Sequence, residues 1–330
     1  MRNKWLIVCL LAAALCGCRH EIANLQVPVE RCADAPVALT SAAAFSINGQ
    51  GYVFGGRLAD GSLSNHLYTY DAASDTWTDL GETPLKARVR SRAVSVDDEV
   101  YIGLGFNGKV LIDSSYLADW WRWTPATNQW ERLADYPSIR SVGPVMGSDG
   151  KVIYAAFGGK QNFERWIFRY DIATDTWLKI ADGLARMASY PPRAHSACGG
   201  WCQGHFFAGA GYTRDGSSHF WVEAELQQDT VIWHRRATMR GKRNNCTSVS
   251  DDRYIYIAGG TFYGGTVTNG HLYDDIQRYD PQANRWTRLG RLPDGERENM
   301  ISWVIGDYLY MGLGNDKRNN PCTQLYRIRR

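Results

Sequence analysis

Five tryptophans set a period along the chain: Trp77, Trp130, Trp177, Trp233 and Trp286 stand 53, 47, 56 and 53 residues apart. Each follows a short aromatic run and a turn. Self-similarity at such an interval marks an internal repeat, in which every unit must bury one face on the next. The first copy is the plainest. Tyr52-Val53-Phe54-Gly55-Gly56 precedes a loop, then Leu67-Tyr68-Thr69-Tyr70-Asp71, then a turn and Asp75-Thr76-Trp77. The glycine position returns as Gly103-Leu104-Gly105, Gly158-Gly159, Gly209-Ala210-Gly211, Gly259-Gly260 and Gly312-Leu313-Gly314, which makes six copies. The turn returns as Thr124-Pro125-Ala126-Thr127-Asn128, Asp171-Ile172-Ala173-Thr174-Asp175 and Asp280-Pro281-Gln282-Ala283-Asn284. Asp, Asn and Pro suit such turns because they preset dihedrals or hydrogen-bond the local backbone.

Short period-two strands separated by turns predict an all-β fold. With four strands in roughly 50 residues, a Gly-Gly, paired aromatics and a spaced Trp, the chain resembles the kelch repeat family. The resemblance implies a six-bladed kelch β-propeller over residues 24–330, one domain despite its length. The fourth copy departs most, keeping only Phe206-Phe207, Phe220-Trp221 and Trp233. The sixth stops after Leu325-Tyr326-Arg327-Ile328, one strand short. An open ring leaves strand edges unprotected, so Asn24 to Arg31 is expected to return as the outer strand that closes it.

The first residues are a separate device. Arg2 and Lys4 precede an apolar run from Trp5 to Leu15, too short for a span of about 20 residues, and then Leu15-Cys16-Gly17-Cys18. The order of charged, apolar and small residues is that of a signal peptide. Leu-Cys-Gly-Cys resembles the lipobox of bacterial lipoproteins, which implies a signal peptide over 1–17, acylation (palmitate among the acyl groups) at Cys18, and a tether over 18–23. Arg19 beyond the anchor resembles outer-membrane sorting, with the propeller facing the periplasm or the cell surface.

The chain has 330 residues, 44% hydrophobic and 22% charged, with a formal charge of +3. That charge argues against a general nucleic-acid binder, which shows a larger basic excess. Of eight cysteines, Cys9, Cys16 and Cys18 belong to the N-terminal segment. Export would favour disulfides among the rest. Cys32 ends the closing strand and Cys322 begins the last one, so antiparallel pairing predicts a Cys32 to Cys322 bond across the seam. Cys198 with Cys202 is the preferred second pair and leaves Cys246 as a buried thiol; Cys202 with Cys246 stays open.

His195, Cys198, Cys202 and His205 have a zinc-like spacing, but residues three apart on a strand point to opposite faces. No metal or other cofactor is therefore expected. There is no Gly-x-Ser-x-Gly elbow, phosphate-binding glycine loop or His-Glu-x-x-His.

Function is expected at the mouth of the ring, where inner strands begin. Those starts read Arg88-Val89-Arg90-Ser91-Arg92, Arg140-Ser141, Arg193-Ala194-His195, Arg243-Asn244-Asn245 and Arg297-Glu298-Asn299. Guanidinium groups suit carboxylate, sulfate or phosphate, so Arg90, Arg92, Arg140, Arg193, His195, Arg243, Asn245, Arg297 and Asn299 are the candidate ligand-binding set. In kelch repeats an Arg at this point also bridges neighbouring blades, a structural reading that applies to Arg88, Arg140, Arg193 and Arg297. Arg90, Arg92 and Arg243 exceed that pattern. Loops on the same face add Arg57, Phe106, Asn107, Gln161, Tyr212, Arg214, Phe262, Tyr263, Asn315 and Lys317. Aromatic and polar groups together suit a carbohydrate, and equally a protein partner. Two functions follow: a membrane-anchored propeller that binds an extracytoplasmic carbohydrate or envelope protein, or an enzyme similar to the periplasmic kelch sialic acid mutarotases. For the enzyme, His195 and Glu298 are the acid-base candidates. Against it, those mutarotases carry long insertions that this chain lacks.

Overall fold

A computed structural model describes residues 23–108, 113–137, 141–158, 167–182, 192–227, 230–263 and 270–330. Six four-stranded antiparallel blades surround a channel. Blade one comprises Ala43–Ile47, Gln50–Phe54, His66–Asp71 and Thr76–Glu82; blade two Arg92–Val96, Glu99–Phe106, Tyr116–Thr124 and Gln129–Leu133; blade three Val145–Ser148, Val152–Ala156, Ile167–Asp171 and Thr176–Asp182. Blade four comprises Cys198–Cys202, His205–Gly209, Trp221–Leu226 and Thr230–Arg235, and blade five Thr247–Ser250, Ile255–Ala258, Asp275–Asp280 and Arg285–Arg291. Blade six joins Ile301–Ile305, Tyr308–Gly312 and Leu325–Arg329 to Val29–Arg31. Each inner strand lies against those of its two neighbours, the sixth against the first. No helix among the described residues is long and apolar enough to cross a membrane.

The ring closes as expected, but with a shorter strand. Val29–Arg31 pairs antiparallel with Leu325–Arg329, whereas Ala23–Asn24 runs parallel to the outer strand of blade five. The segment from Asn24 to Arg31 thus serves two blades.

The spaced tryptophans mark a clamp between blades. In blade five, Trp286 Nε1 donates to the carbonyl of Ala237, at the exit of blade four, at 2.7 Å. The Ala237 amide donates in turn to Asn284 Oδ1, which also accepts from the Tyr279 hydroxyl. Asn284 is left-handed (φ 48°), a conformation Asn tolerates better than most residues. Asp175, Tyr170 and Trp177 hold Ala134 in the same way, and Asp75, Tyr70 and Trp77 hold Ala33. The aromatic strand, the turn and the Trp therefore recur together because they form one hydrogen-bonded unit. Their rings fill the interfaces between blades, as where Trp221 lies edge-on to Trp286 with centroids 4.9 Å apart.

The glycine doublet serves the inner side of each blade. Gly56, Gly211 and Gly260 donate their amides to the carbonyls of Arg88, Arg243 and Arg297 of the next blade, each at 2.8 Å. A Cβ on Gly55 would lie 2.8 Å from the Arg88 carbonyl. Glycine adopts the left-handed conformation of this step without strain, and Leu104, Ala210 and Leu313 take the same conformation at the equivalent position of other blades.

Both expected disulfides fail on register. Cys32, Cys198, Cys202, Cys246 and Cys322 are all free. Arg31 pairs with Tyr326, so Cys32 continues opposite Leu325, while Cys322 bridges to Leu39. Cys32 and Cys322 are thus offset by about three residues, roughly 10 Å along a strand, beyond the Cα separation of about 7 Å that a disulfide tolerates. Cys198 and Cys202 are the two ends of one extended strand, about 13 Å apart by the same rise.

Candidate functional site: the channel mouth

Where the chain enters each inner strand, one residue turns left-handed: Ser41, Arg90, Gly143, Ser196, Asn245 and Asn299, with φ between 52° and 58°. Their backbones interlock around the channel. Ser41 donates to Asn299, Arg90 to Ser41, Asn245 to Ser196 and Asn299 to Asn245, at 2.7–3.2 Å. On the side of blade three, Arg92 takes over this role, with Nε donating to the Pro144 carbonyl at 2.8 Å and Nη2 to the Gly143 carbonyl at 3.2 Å. A left-handed Arg carries roughly 1–2 kcal/mol of backbone strain, and such strain gathers at ligand sites.

This ring sets the true alignment of the arginines. The residue two before it is Arg88 in blade two, Arg243 in blade five and Arg297 in blade six. All three are buried, and each sends Nη1 to the backbone carbonyl at the glycine position: Leu104, Gly259 and Leu313 respectively. Arg88 forms a bidentate pair with Asp119 (2.7 and 2.8 Å), and Arg243 with Asp275 (2.7 and 3.2 Å). Burial works against the Arg243 charge, but Asp275 more than offsets it and holds the guanidinium above its ordinary range. Arg243 and Arg297 are therefore architectural, which corrects their placement among the ligand candidates. Arg193 lies one residue out of register: Ala194 holds the equivalent buried position, and Arg193 is exposed on the rim. Arg140 falls outside the described residues, as do Gln161 and Cys18.

Arg90 and Arg92 differ from these three. Arg90 reaches across the channel, donating from Nη1 to Ser196 Oγ at 3.0 Å and from Nη2 to Asn245 Oδ1 at 3.3 Å. Arg92 donates to the carbonyls of Pro144, Gly143 and Ser91. Every one of these acceptors is a neutral oxygen. Burial lowers both guanidinium pKa values; for Arg92, with the like charge of Arg90 adding to burial, the value falls to about 10. The nearest opposing charge felt by Arg90 is Glu298, whose Oε2 accepts from Asn245 Nδ2 at 3.0 Å.

Behind the ring, Arg92, Cys246, Thr247, Ser302 and Met146 help line a cavity of about 140 Å³. Outside it, Arg90, His195, Ser196, Tyr212, Asn245 and Tyr263 line a rim cleft of about 360 Å³. The opposite end of the channel widens to about 570 Å³ between small residues such as Ala93, Ser95, Ser148 and Ser250. His195 stands at the rim with Nδ1 3.1 Å from Ser196 Oγ and its ring 5.4 Å from that of Tyr212. The expected set thus comes together in part: Arg90, Arg92, His195, Asn245, Glu298 and Asn299 meet around the mouth. Ser196, which joins Arg90 to His195, escapes a reading focused on arginine; its position two after the buried slot is the signal that finds it. Asn315, expected in a ligand loop, is buried and pairs with the Glu298 backbone and Asn319.

Comparison with known proteins agrees with this architecture. Residues 21–211 match the KLHDC2/KLHL20/DRC7 Kelch-repeats domain, and residues 242–293 match the Kelch motif. Kelch-like protein 38 of Homo sapiens is 25% identical over 276 residues, covering 79% of this chain and 42% of that protein. Kelch-like protein 23 of Pongo abelii is 24% identical over 249 residues, covering 75% of this chain and 41% of that protein. The chain therefore spans less than half the length of these curated relatives. A solved structure, that of YjhT, superposes with a TM-score of 0.70 at 16% identity, covering 88% of this chain and 95% of the other. With a matching domain over more than half of its length, six blades and the recurring Gly, Tyr and Trp positions, the chain belongs to the kelch-repeat family.

Proposed function

We propose that this propeller binds an anionic small molecule at the channel mouth, an acidic carbohydrate in the first place, and acts as a binding protein. One observation carries the reading: two half-buried guanidinium groups, Arg90 and Arg92, face the channel and, among the described residues, hydrogen-bond only neutral oxygens. A guanidinium partly withdrawn from water without a bonded counterion is costly, and a carboxylate entering the mouth supplies one. Tyr212 and Tyr263 at the cleft give a sugar ring an apolar surface, and Asn245 and Ser196 give hydrogen-bonding groups. In the same proposal the protein is lipid-anchored at Cys18 in the outer membrane, so the ligand is extracytoplasmic. Isothermal titration of residues 19–330 with neutral and acidic sugars at low salt, where charge acts most strongly, is the test. Acidic sugars that bind no better than neutral ones overturn the anionic reading and leave an envelope protein as the partner.

A second reading, a mutarotase, draws on the contacts that run from His195 through Ser196, Arg90 and Asn245 to Glu298. Ring opening of a sugar needs a base for the anomeric hydroxyl and an acid for the ring oxygen, and this arrangement holds one candidate on each side of the anion site. Anomer exchange followed by NMR decides it: wild-type exchange no faster than buffer, or unchanged by His195→Ala and Glu298→Gln, leaves a binding protein.

A further inference from the structure

The inner strands of blades four and five meet in a fixed order. Ser248 Oγ accepts the Gly199 amide and donates to the Gly199 carbonyl, both at 3.0 Å. A Cβ on Gly200 would lie 2.9 Å from Ser250 Oγ. Ser248 and Ser250 therefore point toward blade four, and the period of two along a strand puts Cys246 on the same side, one step nearer the mouth. Opposite it is Cys198, which begins the inner strand of blade four and is buried in the core between the two blades with Ile255, Ile257 and Tyr279; Cys246 packs against that same cluster. The two thiols lie close enough for each to shift the other's pKa. They differ in access: Cys198 is 2% exposed, whereas Cys246 follows Asn245 of the ring and lines the cavity that also holds Arg92.

We propose that Cys246 and Cys198 are a redox pair, with Cys246 the attacking thiol and Cys198 the resolving one, whose disulfide joins the inner strands of blades four and five at the channel wall. The oxidant is a low-molecular-weight disulfide such as oxidised glutathione. The Cys246 thiolate attacks one of its sulfurs, breaking that S–S bond and releasing one glutathione thiolate, which takes up a proton. Cys198 loses its proton and attacks the Cys246 sulfur of the mixed disulfide, expelling the second glutathione thiolate. Two protein thiols are oxidised and one disulfide is reduced to two thiols. The electrostatics agree with the division of labour. The neighbouring Cys198 thiol lowers the Cys246 pKa and, against the opposing effect of burial, Arg243 lowers it further; the proximity of Cys246, then burial, raises Cys198. Thiolate character and access decide which thiol reacts first.

The test is to reduce the whole protein, exchange it into excess oxidised glutathione, block remaining thiols with an alkylating agent and map the peptides without reduction. A Cys198 to Cys246 crosslink is expected, unchanged in Cys202→Ser. Cys198→Ala is expected to hold glutathione on Cys246, and Cys246→Ala to hold none on Cys198. The proposal is overturned by glutathione that stays on Cys246 in the wild type, by a crosslink from Cys246 to Cys202, or by two thiols that remain free. This readout involves no ligand and is independent of anion binding.

Discussion

Replacing Arg243 with Met separates an architectural arginine from a ligand-binding one. The guanidinium is fully buried and the Asp275 side chain is 10% exposed. Removing the cation strands a carboxylate that keeps only the 2.8 Å bond from Gln277 Nε2, and it leaves the carbonyls of Gly259 and Arg240 without this donor. Breaking a buried pair from one side costs about 3–5 kcal/mol. Unfolding entropy of roughly 2.1 cal/mol/K per residue gives about 0.6 kcal/mol/K for a domain of some 300 residues, so Tm falls by about 5–8 °C. Circular dichroism melts of wild type, Arg243→Met and Arg243→Met/Asp275→Leu measure it. The double variant is expected to recover most of the loss, since two apolar groups of similar volume leave no stranded charge. A Tm within about 1 °C of wild type, or lost anion binding at unchanged Tm, refutes the structural assignment.

At Arg92 the opposite pattern is expected: Arg92→Met weakens binding of an acidic sugar by about 1.5–3 kcal/mol, the scale of charged hydrogen bonds, while Tm holds or rises. Because the folded pKa of Arg92, about 10, lies below its ordinary value of 12.5, its charge opposes folding below pH 10 and that penalty is relieved as pH rises past it. Anion affinity measured by titration from pH 8 to 11 should fall across the same interval in the wild type and not in Arg92→Met; an equal fall in both assigns the pH dependence to another group. Trp286→Phe deletes the bond to Ala237 while keeping an aromatic ring, and is expected to cost about 1 kcal/mol, read as a lower denaturant midpoint at constant m. Cys18→Ser is expected to move the protein from the membrane to the soluble fraction on cell fractionation; a variant still in membranes refutes anchoring there.

The repeat was legible because its marker residues make one local unit: Tyr279, Asn284 and Trp286 must appear together to hold Ala237. Closure was legible in outline from the strand missing in blade six. Its register was not, because Cys32 and Cys322 flank strands whose pairing is set by Arg31 opposite Tyr326, a relation that no local pattern encodes. The mouth was half legible. Aligning on arginine placed Arg193 in a slot that belongs to Ala194 and took Arg243 for a ligand group, since both Arg90 and Arg243 read as excess cations. Only backbone conformation, left-handed at Arg90, Ser196 and Asn245, separates the ring from the buried arginines two residues before it.

Blade six has a consequence for the order of folding. Glu30 meets Arg327 across 297 residues of chain, so the outermost strand of that blade cannot dock until the strand Leu325–Arg329 has been made. Loop-closure entropy delays such distant pairings, and until this one forms the exposed edge of Leu325–Arg329 is a template for another chain. A nascent propeller therefore carries its aggregation hazard in the sixth blade. Circular permutation that makes Val29–Arg31 follow Arg330 directly should speed the last folding phase and spare the native contacts, at the expense of the covalent continuity from Arg31 into blade one.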